Sequence, residues 1–216
     1  MAKRITIVLS ALCVIITLFA WYSNPEQIFS NYGYSTENMM AGDYYVLLSS
    51  IFLHSNLDHL LSNLIVLLIF GFALEEEIRG KRFLLVFLGG AFLGDLLTSL
   101  IYPYSQICVG ASAGVFSIMA ATILIKPIKM EVFVPMPLGI IGIGYLIYGI
   151  IGFIANYPPH VAHIAHMGGA FVGLFYGFRY TGSKKALRIL IAMFLLFMFT
   201  PFIWNFWVLL INSIIG

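Results

Sequence analysis

The chain has 216 residues, of which 61% are hydrophobic and 9% charged, with a mean hydropathy of +1.00. A soluble domain carries about 25% charged residues, so this composition excludes an ordinary water-soluble fold. Eleven Lys and Arg against nine Asp and Glu leave a net charge of +2, which excludes the broad basic field of a nucleic-acid binder.

A helix crosses about 30 Å of hydrocarbon with about 20 apolar residues. The apolar runs separate into spans at about 5–22, 56–74, 83–101, 112–126, 138–155, 163–180 and 187–211. The first follows Lys3 and Arg4, is too long for a signal-peptide core, and ends at Trp21-Tyr22 without small residues. It reads as an uncleaved span. Segment 23–55 contains Glu26, Glu37 and Asp43 but no Lys or Arg, and is rich in Tyr, Phe, Met and Leu. That mixture suits the membrane interface. The fourth span is the shortest and begins abruptly after Gly110. The last contains Pro201, with Trp204 and Trp207 near its outer end, and carries none of the polar motifs described below. The expectation is an all-α, polytopic membrane protein: a six-helix bundle over 1–186 with an additional C-terminal transmembrane helix over 187–216.

The basic residues fix the orientation. Lys3, Arg4, Arg79, Lys81, Arg82, Lys126, Lys129, Arg179, Lys184, Lys185 and Arg188 all fall at the N-terminus or in the 2–3, 4–5 and 6–7 connections. By the positive-inside rule the N-terminus is cytoplasmic and the C-terminus outside, as expected of a multi-pass protein of the cell membrane. Cys13 lies mid-span and Cys108 in an outer loop, so the two are not expected to form a disulfide.

Ionisable and amide side chains are costly in hydrocarbon and mark candidate sites. Here they are His54, Asp58, His59, Asn63, Asp95, Ser112, His163 and His166. All but Asp95 lie near the outer ends of spans two, four and six, which run in the same direction and share one depth. His59 and Asn63 are i,i+4 and share a helix face; they either join helices or solvate a developing negative charge. Ser112, within Gly110-Ala111-Ser112-Ala113-Gly114, is either a cap or packing residue or a nucleophile whose neighbouring helix-start N–H groups bind an oxyanion. Phe116 lies one turn on, on the Ser112 face. Gly169 and Gly173 form a small-xxx-small stripe below His166 that lets another helix approach closely. If that helix carries Ser112, the two side chains form a Ser–His pair; otherwise the stripe is packing alone. His160, His163 and His166 raise metal binding, but i+6 swings away from i and i+3 on a helix, so no metal or other cofactor is expected. Asp95 suits a helix–helix hydrogen bond or a wet cavity. Cys108 is a candidate thiol nucleophile with no assigned base.

Taken together, these motifs resemble the rhomboid intramembrane serine proteases over about residues 40–180. The resemblance rests on His54-x4-His59-x3-Asn63, Gly110-x-Ser112 and Ala165-His166-x-x-Gly169-x-x-x-Gly173, in order on spans two, four and six. Phe52-Leu53-His54 and Glu76-x-x-x-Gly80 add to it. It implies Ser112 as nucleophile, His166 as general base and acid without an acidic third member, and His59, Asn63 and the Ser112 N–H as the oxyanion hole. It further implies that Gly110 permits close approach, that His54 orders the entry of span two, and that Phe116 packs on His166. Segment 23–55 corresponds to the family's membrane-embedded first loop, and span five with 156–162 to its substrate gate and cap. Tyr45 and Val46 stand where the family usually carries Trp-Arg, and Ala113 where Gly is commonest. The implied partners are single-span transmembrane substrates and the lipid bilayer. Two other readings predict different behaviour. A non-catalytic rhomboid-like binder of transmembrane segments has the same fold without a reactive serine. A His/Asp-lined transporter of this size usually shows inverted repeats or broken helices in corresponding halves, and neither is evident.

Overall fold

The computed structural model describes residues 4–130, 136–159 and 161–215. Its helices are α1 (Arg4–Tyr22), α2 (Pro25–Tyr32), α3 (Thr36–Ala41), α4 (Val46–Ser49), α5 (Leu57–Thr98), α6 (Ser112–Ile125), α7 (Leu138–Ala155), α8 (His163–Thr181) and α9 (Ser183–Ile215), with a 3-10 turn at Ser50–Phe52. The protein is all-α and polytopic. Many of its large apolar side chains are exposed (Ile15, Phe19, Ile65, Leu85, Ile154, Phe171 and Phe202 among them). In water so large an apolar surface would drive aggregation; in a bilayer it faces lipid.

Spans two and three are the expected two helices, joined end to end without a loop. Helical structure runs from Leu57 to Thr98 and is interrupted at Arg79, with φ 65° and ψ 160°. A straight helix of 42 residues would measure about 63 Å, twice the hydrocarbon thickness. Contacts at its two ends show that the chain reverses at the break. His59 lies against Gly110, and Gly94 lies against Ala113 and Ala165, so both ends of α5 reach the same side. Glu77, beside the break, pairs with Lys126 at 2.6 Å on the other side.

That second side is the basic end. Glu76 lies 3.6 Å from Lys129, and Tyr180 donates to Glu77 at 3.1 Å. These exposed pairs tie α5, α6 and α8 together at well under 1 kcal/mol each. A buried carboxylate does more. Glu75 accepts from Ile5 N and Thr6 N, each at 2.9 Å, and from Thr6 Oγ1 at 2.7 Å. It thereby satisfies N–H groups that the first turn of α1 would leave without partners. The family spacing drew attention to Glu76; the structure gives the buried role to its neighbour.

The connection from α1 to α5 is ordered by local caps. Asn24 accepts from Gln27 N, Ser35 from Asn38 N and Asn56 from His59 N, and Gly42 ends α3 at φ 97°. Val46 is buried in place of the family's Arg. Other side chains make the cross-links: Asn38 Nδ2 donates to Ser30 O and Gly33 O, Tyr45 to Asn31 O and Ser49 to Tyr32 O.

The central element is α6. It has 14 residues, so it is about 21 Å long and cannot cross the hydrocarbon. It is buried from Ala113 to Val115 and from Ser117 to Leu124, surrounded by α5, α7 and α8. Its basic end is at Lys126, so its other end, Ser112, begins well short of the opposite membrane surface. α9 packs mainly against α7, with Met193 on Gly139 and Phe197 on Gly144. The side chains of 203, 206, 207, 209–211 and 213–215, including Trp207, lie outside the described set.

Candidate active site

Close packing of α8 on α6 sets the geometry. A Cβ at Gly169 would fall on the Ala113 carbonyl oxygen, and one at Gly173 on the Ser117 carbonyl oxygen. Only glycine lets the backbones approach this closely. His166, one turn before Gly169 on the same face, is thereby carried to the start of α6. Its Nε2 lies 2.9 Å from Ser112 Oγ. Both residues are partly exposed, neither sealed in the core nor free at the surface.

The imidazole is held by rings. Phe116, one turn along α6 from Ser112, stacks on His166 with centroids 4.3 Å apart and planes 9° apart. His163 meets it edge-on at 6.1 Å and 89°. No carboxylate contacts His166 among the described residues. His163 is 1% exposed, and neither ring nitrogen has a hydrogen-bond partner among the described residues; the ring packs against Gly152 of α7.

The loop before Ser112 is braced from two directions. Gly110 has φ 126°, a conformation natural to glycine alone. A Cβ there would lie 2.7 Å from both Cε1 and Nε2 of His59. Its N–H donates to Ser50 O at 2.9 Å. The next residue, Ala111, donates its N–H to His54 Nε2 at 3.4 Å. The tautomer of His54 follows from its other partner. Thr17 Oγ1 gives its only hydrogen to Phe52 O at 3.0 Å, so it accepts from His54 Nδ1, also at 3.0 Å. Nε2 is then left as the acceptor. Neutral His54 therefore links α1 to the loop.

His59 and Asn63 lie on the first two turns of α5. His59 Nδ1 is 3.3 Å from Ser55 Oγ, and its ring meets that of His54 at 5.0 Å. Asn63, 5% exposed, donates one amide hydrogen to His59 O at 2.8 Å, leaving the second uncommitted. The Ser112 and Ala113 N–H groups, in the first turn of α6, have no intrahelical acceptor. An apolar cleft of about 200 Å³ between α7 and α8 reaches this site, lined by Phe116, Leu146, Gly149, Ile150, His166 and Phe171 among others.

Other sequence candidates lie elsewhere. Burial pushes the Cys108 thiol up to about 11, so it is protonated at neutral pH and carries no thiolate. Cys13 and Cys108 are both free. Among the described residues no group of three His, Cys, Asp or Glu is placed to hold a metal ion; His160 lies outside the described residues. Asp95 accepts from Ser50 Oγ at 3.1 Å. Asp58 is exposed on the first turn of α5. Sequence reasoning missed Ser50, Thr17, Asn38 and Glu75. Each is a small polar residue, or one acid among three; all but Asn38 have partners distant in sequence, and those of Asn38 are backbone carbonyls 5 and 8 residues back.

The fold and this constellation define a class: a polytopic all-α membrane protein with a Ser–His pair at the recessed start of a short central helix. The Rhomboid domain model matches residues 41–183, well over half the chain. The chain belongs to the rhomboid family. It is 31% identical over 174 residues to Rhomboid-related protein 1 of Caenorhabditis elegans, covering 76% of this chain and 48% of that protein. It is 29% identical over 169 residues to RHOMBOID-like protein 12, mitochondrial, of Arabidopsis thaliana (69% and 50%). It is 26% identical over 137 residues to Rhomboid-like protease 2 of Toxoplasma gondii (63% and 48%). The chain spans about half the length of these relatives.

Proposed function

We propose that this chain is an intramembrane serine endopeptidase that cleaves single-span transmembrane proteins near the outer face of the cell membrane. Its N-terminus is on the cytoplasmic side, and residues 1–186 form the catalytic core. The observation that carries the reading is the 2.9 Å approach of His166 Nε2 to Ser112 Oγ beneath the stacked Phe116 ring.

The mechanism follows from the chemistry of the groups. Ser112 Oγ attacks the substrate carbonyl carbon while its proton passes to His166 Nε2. The carbonyl oxygen becomes an oxyanion. The Ser112 N–H, the free Asn63 amide hydrogen and His59 are its donors. With Ser55 Oγ–H donating to His59 Nδ1, the neutral ring carries its proton on Nε2, beside Gly110. Each donor is worth about 3 kcal/mol in the transition state. His166 gives its proton to the leaving amine as the C–N bond breaks. A water then attacks the acyl-enzyme, passing its proton through His166, and releases the second product with Ser112 restored.

A helical peptide bond is inaccessible, so the substrate must unwind before attack. Small or helix-destabilising residues near its outer end ease that step. The apolar cleft between α7 and α8 is the route for apolar side chains beside the scissile bond. The test is cleavage of a single-span substrate by purified protein in detergent, together with labelling by a fluorophosphonate. Ser112→Ala and His166→Ala should abolish both. Equal cleavage by wild type and Ser112→Ala refutes the mechanism. Absence of labelling with the fold intact favours a protein that only binds transmembrane segments.

A further inference from the structure

Asp95 is a partly buried acidic side chain in the outer half of the spans that the proposed chemistry does not use. No Lys or Arg pairs with it among the described residues. It sits beside Gly94, where α5, α6 and α8 meet. A Cβ at Gly94 would lie 2.5 Å from Ala113 Cβ and 2.8 Å from the Ala165 carbonyl oxygen. The backbone carrying Asp95 is therefore wedged between the residue after Ser112 and the residue before His166.

From that fixed point a chain of hydrogen bonds runs to the nucleophile loop. Ser50 Oγ donates to Asp95 Oδ2 at 3.1 Å. The carbonyl of the same Ser50 accepts from Gly110 N at 2.9 Å. Ser50 is 1% exposed, so water does not replace these bonds. Gly110, at φ 126°, has no regular secondary structure to hold it. Its N–H is fixed by Ser50, and Ser50 is fixed by Asp95. Two residues further on lie the Ser112 N–H and Oγ. Thr98 Oγ1 donates to the Asp95 carbonyl at 2.6 Å, and Tyr34 bonds Ser99 Oγ at 2.7 Å. These bonds hold the outer end of α5 in register with the loop.

We propose that Asp95 is a positioning residue for catalysis, its carboxyl oxygen setting the Gly110–Ser112 loop through Ser50. The inference rests on Ser112 being the nucleophile. It assigns the second brace of the loop, opposite the one His54 supplies, to an acidic side chain remote from the substrate.

The experiment uses the full-length protein in detergent. It compares wild type with Asp95→Leu, Asp95→Asn, Ser50→Ala and the double variant Asp95→Leu/Ser50→Ala. The readouts are the rate of fluorophosphonate labelling, kcat and KM on a single-span substrate, and the melting temperature. A displacement of about 1 Å at a reacting group costs about 100-fold, so Asp95→Leu should lose about that factor in labelling rate and kcat. KM should stay within about twofold, because ground-state binding is untouched. Asp95→Asn keeps an acceptor oxygen for Ser50 and should stay within about fivefold of wild type, because the bond that holds Ser50 is retained. The double variant should be no worse than the more impaired single, as members of one chain of contacts are not additive.

Wild-type labelling by Asp95→Leu overturns the proposal. So does multiplication of the two single losses in the double variant, or equal impairment of Asn and Leu variants that both melt early. A wild-type protein that neither labels nor cleaves overturns the underlying protease reading, and is told apart because no variant comparison then arises.

Discussion

Replacing Gly169 with Ala tests whether the Ser112–His166 geometry is set by helix packing. The added methyl falls on the Ala113 carbonyl oxygen, 2.7 Å from its carbon and 3.1 Å from Ala113 Cα. Non-bonded carbons rest at about 3.5–4.0 Å, so α8 must retreat from α6 by about 1 Å at this point. His166 lies one turn away on the same face and moves with the backbone. The 2.9 Å separation of Nε2 and Oγ then opens to about 4 Å, beyond hydrogen-bond reach. A shift of that size costs about 100-fold in kcat, or about 2.7 kcal/mol of barrier. Overpacking adds about 1–3 kcal/mol of destabilisation. The assay pairs fluorophosphonate labelling with substrate cleavage, normalised to the folded fraction from a melting curve. Gly177→Ala is the comparator. Its methyl meets the side chain of Leu124 with no backbone atom among its nearest contacts, three turns from His166, and it should label close to the wild-type rate. If Gly169→Ala labels as fast as wild type, packing of α8 on α6 does not position the histidine, and the reasoning is wrong.

Two other perturbations separate chemistry from stability. Phe116→Leu removes the flat face on which His166 stacks at 4.3 Å; aromatic pairs are worth about 0.5–1.5 kcal/mol, so kcat should fall roughly 3- to 10-fold, while Phe116→Tyr should retain activity. Steady-state kinetics on one substrate check this, and a change in KM alone counts against it. Glu75→Gln should act only on stability. It removes a carboxylate that accepts three hydrogen bonds from the start of α1, at a cost of about 1.5–3 kcal/mol. The melting temperature should drop by roughly 3–10 °C with labelling at low temperature unchanged.

Much of the site was legible in the sequence because hydrocarbon makes polar residues conspicuous. In a chain with 9% charged residues, His59, Asn63, Ser112 and His166 stand out at the ends of parallel spans. The structure brings Ser112 to His166, His59 to Gly110, and Asn63 to the turn of α5 after His59. Helical spacing also placed Phe116 and the Gly169–Gly173 stripe, since i,i+3 and i,i+4 relations are fixed by the helix itself. The supporting bonds were not legible, because no spacing rule relates their partners. Glu75 and Thr6 are 69 positions apart, Ser50 and Asp95 45. Nothing local marks Glu75 as the buried member of Glu75-Glu76-Glu77. The first loop shows the same limit. Val46, in place of the usual Arg, suggested a missing organiser, yet Asn38, Tyr45 and Ser49 donate to the loop's carbonyls. Hydrogen-bond supply can be redistributed among residues that no family motif records.

The depth of the site and the absence of an acidic third member are linked through α6. A helix of 14 residues reaches about 21 Å from the basic end, about 9 Å short of the roughly 30 Å hydrocarbon thickness. Ser112 therefore starts in a recess walled by the longer α5, α7 and α8. A carboxylate oriented toward His166 in that recess would need its own partners to offset desolvation. The orienting contacts seen on His166 are instead the Phe116 face and the His163 edge, with the Gly169 seam setting the ring's height. In lipid, where helices associate through close packing of small residues more than through apolar burial, this is the available way to fix an imidazole. It follows that sensitivity should concentrate on the α6–α8 seam. Substitutions on the lipid-facing sides of the same helices, such as at Phe171 or Phe175, change the surface that meets the bilayer without moving Ser112 relative to His166.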